Sequence, residues 1–170
     1  MPSFVGSEMS GMTEETLERR VYLDTNVFIR AFEGVPEEAR HLRTLFEALR
    51  AHPKIAVTSE LTLAELLAPE RRKRARDATV QIKRRFYLNL IVWTGFIDLQ
   101  GTTRDVWLET ADLRRKVHLK LPDAVHIVTA IRARCGYFMS DDRRIKLPQD
   151  MILLQPNEKG VAVVTESLRA

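Results

Sequence analysis

Four acidic residues stand where a chain can build a cation or proton-transfer site. Asp24 follows directly on the apolar run Val21-Tyr22-Leu23 and leads into Thr25-Asn26. Glu65 lies inside Leu61-Thr62-Leu63-Ala64-Glu65-Leu66-Leu67-Ala68. Asp123 follows Leu121-Pro122, and Asp142 follows Tyr137-Phe138-Met139-Ser140-Asp141. Each acid also has a purely structural use. Asp24, Thr25 or Asn26 can cap the helix that follows. Asp123 suits the positive end of a helix dipole. Asp141 and Asp142 suit a strand-to-turn junction. Glu65 is harder to explain that way. Its helix is apolar on nearly every side, and an unpaired buried carboxylate costs several kcal/mol or takes up a proton. It needs a cation or an Arg/Lys partner. As a set, three or four carboxylates in one pocket repel each other unless a cation joins them. Oxygen-only ligands select hard ions such as Mg²⁺ or Mn²⁺. One or two such ions activate water and stabilise phosphoryl transfer. His126, one turn beyond Asp123, reads as a packed or orienting histidine, because no second His or Cys sits at a ligand spacing.

The elements that must position these acids alternate along the chain. Val21–Leu23, Ile55–Thr58, part of Ile91–Leu99, Tyr137–Met139 and Met151–Leu154 read as strands. Helices are predicted from Val27, from Pro36 to His52, from the Ser59 cap to Ala68 with Pro69 as its stop, and from Arg71 to Leu90. Two more run from Thr102 or Thr103 to Val117 and from Pro122 to Cys135, the last closed by Gly136. Strands alternating with helices predict an α/β fold with a mostly parallel sheet. Such sheets gather functional groups at the carboxyl ends of their strands. Trp93, Phe96 and Trp107 read as core. Thr13 to Arg20 is predicted to form a short helix within a loose extension, residues 1–20. The domain proper spans 21–155, and 156–170 is a tail packed on it or continuing it.

Length and composition bound the alternatives. A chain of 170 residues fits one domain and buries enough surface to need no cross-link. Its one cysteine, Cys135, excludes an internal disulfide framework and a Cys-based zinc finger. No apolar run reaches the ~20 residues of a membrane span, and no basic start precedes an apolar stretch. The expectation is a soluble, cytoplasmic protein with no membrane partner. The net charge of +4 divides unevenly: residues 1–20 carry four acids against two arginines, so the other 150 carry +6. Arg71-Arg72-Lys73-Arg74-Ala75-Arg76 and Arg114-Arg115-Lys116 are the dense basic groups. Either is a solvated helix face or a flank that neutralises phosphates without reading bases. Arg72, Arg74, Arg76, Arg115 and Lys116 are the candidate phosphate contacts.

In order along the chain, Val21-Tyr22-Leu23-Asp24-Thr25-Asn26, Thr58-Ser59-Glu60-Leu61-Thr62-Leu63-Ala64-Glu65, Leu121-Pro122-Asp123-Ala124 and Phe138-Met139-Ser140-Asp141-Asp142 resemble the four motifs of the PIN-domain ribonucleases. Within that family the chain looks most like the VapC-type toxins of toxin–antitoxin pairs. The resemblance covers about residues 20–155. It implies a three-layer α/β/α fold with a short central sheet and Mg²⁺- or Mn²⁺-dependent hydrolysis of RNA to 5′-phosphate and 3′-hydroxyl ends. Asp24, Glu65, Asp123 and Asp142 would be the catalytic, metal-binding acids. Asn26 and Ser140 would orient carboxylates or water, and Asp141 would be an extra ligand or a bystander. Ser140 departs from the commoner Thr. The resemblance further implies a homodimer and a small antitoxin partner that covers the acidic pocket. A haloacid-dehalogenase-like phosphohydrolase would need an acid where Asn26 stands, and a phosphoacceptor receiver would need an acidic pair at the first strand. A catalytically silent PIN-like binding module would have no need of all four acids.

Overall fold

The computed structural model describes residue 13 and residues 19–68 and 78–169. The predicted helix over Thr13–Arg20, the Pro69 stop and the basic run Arg71–Arg76 lie outside them, apart from Thr13, Arg19 and Arg20. Five strands form one sheet: β1 (Val21–Leu23), β2 (Ala56–Ser59), β3 (Ile97–Gln100), β4 (Tyr137–Met139) and β5 (Ile152–Leu154). Their order is β3-β2-β1-β4-β5, and all four pairings are parallel. The helices are α1 (Thr25–Glu33), α2 (Pro36–Arg50), α3 (Glu60–Leu67), α4 (Ala78–Leu88), α5 (Arg104–Lys116), α6 (Leu121–Arg132) and α7 (Glu158–Ser167).

Strand alternation sorts the core into two layers. Val21, Leu23, Ala56, Ile97, Met139 and Leu154 face one way, against Phe28, Leu42, Leu49, Leu66, Ile91 and Val164 from helices. Tyr22, Val57 and Phe138 face the other way, against Ile127 and Ala130 of α6. All three residues of β1 are fully buried, as a central parallel strand requires. The result is the three-layer α/β/α arrangement. The segment after 155 is ordered: α7 caps on Asn157 and buries Val161 and Val164.

Four local expectations are corrected. First, the strand expected within Ile91–Leu99 is there, from Ile97, but the helix expected to stop at about Leu90 runs on to Trp93. A π-helical turn, Asn89–Trp93, extends α4 and buries Leu90 and Ile91. Gly95, at φ +73°, then turns the chain into β3. A short apolar run cannot by periodicity separate buried helix from strand. Second, α6 ends at Arg132, where Arg134 takes the left-handed conformation at φ 53°. The N–H groups of Cys135 and Arg134 close on the carbonyls of Ala130 and Ile131, a Schellman closure made without Gly136. Third, Trp93 and Trp107 are 63% and 43% exposed; only Phe96 of that trio is core. On α5 the inward positions are taken by Val106 and Thr110. Fourth, Arg20 is no part of a loose extension. It is 2% exposed, with Nε donating to the Lys54 carbonyl at 3.2 Å, Nη1 to the Ala133 carbonyl at 2.7 Å and Nη2 to Asp98.

Candidate active site

β2 lies on one side of β1 and β4 on the other, so successive crossovers leave β1 in opposite directions. The carboxyl end of such a switch point opens a crevice. Asp24 and Ser140 sit on its two lips, each the first residue past its strand. The Asp24 N–H donates to the Met139 carbonyl at 3.1 Å, which ties the lips together.

Asp24 does cap α1, since Oδ1 accepts from the Thr25 N–H at 2.7 Å. Its other oxygen has a separate task. Oδ2 accepts from Asn26 Nδ2 and from Ser140 Oγ, both at 2.6 Å. Asn26 Nδ2 also reaches Ser140 Oγ at 3.1 Å, and its Oδ1 accepts the Asp141 N–H at 3.1 Å. Ser140 Oγ in turn accepts the Asp142 N–H at 3.1 Å. Asn26 and Ser140 therefore fix both the Asp24 carboxylate and the backbone that carries Asp142. All these donors are neutral, so they orient Asp24, 13% exposed at its side chain, without pairing it to a cation.

Glu65 comes to the same crevice from α3. That helix is capped by Ser59, whose Oγ accepts the Thr62 N–H at 3.2 Å. Glu65 Oε2 accepts from the Thr25 hydroxyl and from His126 Nε2, the latter at 3.3 Å. Burial alone would raise its carboxyl. The bonds from His126 and Thr25 and the His126 charge outweigh burial, and the group lies below its ordinary value. His126 Nε2 also stands 3.8 Å from Asp24 Oδ1. One imidazole thus spans two of the four acids.

Asp123 is in the first turn of α6, and its carboxyl is raised. Burial is the first cause, then the negative charges of Asp142 and Asp24, against smaller relief from Lys120 and His126. Repulsion among Asp24, Asp123 and Asp142 is thus felt at Asp123 itself. Asp142 is turned onto Arg144, which donates from its N–H at 2.9 Å, from Nε at 3.0 Å and from Nη2 at 3.0 Å. These bonds hold the Asp142 carboxyl down at about 2. Asp141 faces elsewhere, paired with Arg30 of α1.

The four acids share one end of the sheet. As they stand, however, no three His, Cys, Asp or Glu side chains among the described residues are close enough together to hold a metal ion. Their chemistry still fits a hard divalent cation. The donors are carboxylate oxygens, the partners that orient Asp24 are neutral, and burial together with the charges of Asp142 and Asp24 leaves Asp123 with a raised carboxyl.

The basic residues are distributed differently from the sequence expectation. Arg115 is paired with Asp112 in an exposed i,i+3 contact on α5. Lys116 is the exposed last residue of that helix. Arg72, Arg74 and Arg76 lie outside the described residues. The basic side chains that border the acids are Lys120 and Arg144, which with His118 line an open cleft of about 220 Å³ together with Asp123 and Asp142. His118 and Arg144 were legible only as neighbours in sequence of Asp123 and Asp142.

Among curated proteins, none matches the chain by sequence. Solved structures share its fold, two of them toxin–antitoxin assemblies. A toxin–antitoxin complex from Klebsiella pneumoniae contains a chain 22% identical, with TM-score 0.56, covering 81% of this chain and 98% of that one. VapBC2 from Rickettsia felis, bound to a DNA fragment from its promoter, contains one 15% identical, with TM-score 0.57, covering 79% and 97%. The PIN domain model matches residues 21–149, from the first residue of β1 through all four acids. PIN domains are in general divalent-metal-dependent nucleases. By this match, which takes in most of its length, the chain belongs to the PIN domain family.

Proposed function

We propose that this protein is a Mg²⁺- or Mn²⁺-dependent endoribonuclease and the toxin component of a toxin–antitoxin pair. The observation that carries the nuclease reading is the Asp24–Glu65–Asp123 constellation. Its members share the carboxyl end of the sheet at the switch point, and Asp24 and Glu65 are oriented mainly by neutral donors. Asp24, Glu65, Asp123 and Asp142 are assigned as the metal-binding acids. A divalent ion held there supplies charge neutralisation and a lowered pKa of attacking water. The chain's own residues prepare the geometry. Asn26 and Ser140 fix Asp24, Thr25 fixes Glu65, and Arg144 releases Asp142 for the ion. Lys120 borders, with His118, the cleft where a phosphodiester lies, and neutralises its charge without reading its bases. Arg72, Arg74, Arg76, Arg115 and Lys116 are assigned a weaker, peripheral hold on the RNA backbone.

The toxin assignment rests on the likeness of the fold to the toxin–antitoxin structures from Klebsiella pneumoniae and Rickettsia felis. It brings a small antitoxin as protein partner, a homodimer as the working form, and the cytoplasm as the place of action. Residues 21–155 are assigned as the nuclease unit. No helix among the described residues is long and apolar enough to cross a membrane.

The test is direct. Purified protein is incubated with structured RNAs in Mg²⁺, Mn²⁺ or EDTA. Cleavage in either metal, abolished by EDTA and by Asp24→Asn or Asp142→Asn, is the expected result. Metal-independent cleavage, or turnover of para-nitrophenyl phosphate without any RNA cleavage, overturns the reading. For the partner, a small neighbouring reading frame that rescues growth and co-purifies on co-expression is expected. Light scattering checks the dimer.

A further inference from the structure

Tyr22 and His126 are buried polar groups that face the acids without being acids. The imidazole is 4% exposed. Tyr22 Oη lies 2.7 Å from His126 Nδ1, and Ser59 Oγ is 3.4 Å from the same nitrogen. On the other edge, Nε2 is 3.3 Å from Glu65 Oε2 and 3.8 Å from Asp24 Oδ1. A histidine buried only for packing has no need of polar contacts at both nitrogens. The Tyr22 ring cannot follow a moving imidazole, because it lies stacked on Phe138 of β4 with centroids 4.9 Å apart and is fully buried.

We propose that Tyr22 and His126 form a positioning pair for Glu65. The central strand anchors the imidazole through Nδ1, and Nε2–H holds the carboxylate by Oε2, leaving Oε1 for a divalent cation. The pair rests on the metal-dependent nuclease reading and deepens it. His126 is a positioning residue, not a ligand: its Nε2 is committed to Glu65 and its Nδ1 to β1. It joins the middle strand, α3 and α6, the elements that carry three of the four acids. A shift of α6 would therefore move Glu65 as well as Asp123.

The test uses the full chain and Mn²⁺ affinity by calorimetry, beside RNA cleavage. His126→Leu is expected to bind Mn²⁺ about 10–100-fold more weakly, the loss typical of a group that orients a ligand. His126→Gln keeps an N–H donor and is expected to recover most of that loss. Tyr22→Phe keeps the stacking on Phe138 and is expected to weaken Mn²⁺ several-fold while shifting the ¹⁵N resonances of the His126 ring in metal-free protein. Should His126→Leu fail to fold, the Gln and Phe variants decide. Mn²⁺ affinity unchanged in Tyr22→Phe overturns the pair. So does a His126→Gln loss as deep as that of His126→Leu at native melting temperature. A wild-type chain that neither binds Mn²⁺ nor cleaves RNA overturns the nuclease reading and the pair together. A wild-type chain that does both, with the variants unchanged, overturns the pair alone.

Discussion

The two ends of the sheet hold their charges by opposite rules. At the amino end, Arg20 is sealed under the strands, with one acid, Asp98, and two carbonyls to receive its guanidinium. The guanidinium meets one carboxylate and two carbonyls, and Lys54 Nζ stands 3.9 Å from the same carboxylate, so that acid is fully paired. At the carboxyl end, Asp24 is held by Thr25, Asn26 and Ser140 and Glu65 by Thr25 and His126, while the nearby arginines are spent on Asp141 and Asp142. Hydroxyl and amide donors orient a carboxylate without cancelling it. The lesson is that a paired charge fastens the fold, whereas an oriented but uncompensated charge is available to bind something.

The strongest way to break this contrast is at the closed end. Arg20→Ala leaves Asp98 without its main partner and two carbonyls without a donor. The expected cost is about 3–5 kcal/mol of unfolding free energy, read by chemical denaturation. A variant as stable as wild type would mean that the amino end is no clamp. At the open end the expectation is reversed. Asp24→Asn retains the ability to cap α1 and should unfold as wild type does. Metal-dependent cleavage should fall by about 100-fold or more, some 2.7 kcal/mol at the transition state. A variant that loses stability rather than activity would make Asp24 a capping residue only.

The two ends also differed in how far the sequence revealed them. Asp24, Ser140 and Asp142 were legible because each closely follows a three-residue apolar run, too short for a helix and bounded by turn residues. Asp123 was legible through Leu121-Pro122 at a helix start. Glu65 stood out as an acid in a helix with no polar face. The part played by His126 was less clear, because its partner Tyr22 lies 104 positions away. Arg20 was misplaced for the same reason: all three of its acceptors are distant in sequence. Local signals also failed where tertiary packing chose between equals, as at Ile91–Trp93, where the helix runs past its expected end. The left-handed residue after α6 proved to be Arg134 although Gly136 was at hand.

A third prediction concerns a support that reaches the open end from outside the PIN match. A Cβ at Gly160 would lie 2.0 Å from the Gln155 carbonyl oxygen, while Gln155 Nε2 donates to the Ser140 carbonyl at 3.1 Å. Gly160→Ala should therefore push α7 off the β5 exit and cost about 1–3 kcal/mol. A fall in cleavage beyond the loss of folded protein would show that the strain is passed to Ser140. Thermal melts paired with activity per folded molecule would reveal a neutral substitution, and neutrality would detach α7 from the site.

The smallest effect bears most closely on uncompensated charge. Asp123 has a raised carboxyl in the folded chain, from burial first and then from Asp142 and Asp24. The folded state thus holds a proton there more tightly than the unfolded one. Its charged form costs stability at neutral pH, and the cost disappears as the pH falls through the folded value toward the ordinary carboxyl range. Because the group is partly exposed, solvent screens the repulsion and the effect stays small. Asp123→Asn should therefore melt about 1–2 °C above wild type at pH 7 in EDTA, worth about 0.5 kcal/mol, with the difference shrinking toward pH 4. Added Mn²⁺ should reverse the order, since wild type gains more from a cation that its carboxylate helps to hold. If the variant melts below wild type in EDTA, Asp123 is serving the α6 dipole rather than waiting for an ion, and the carboxyl end is less open than its hydrogen bonds imply.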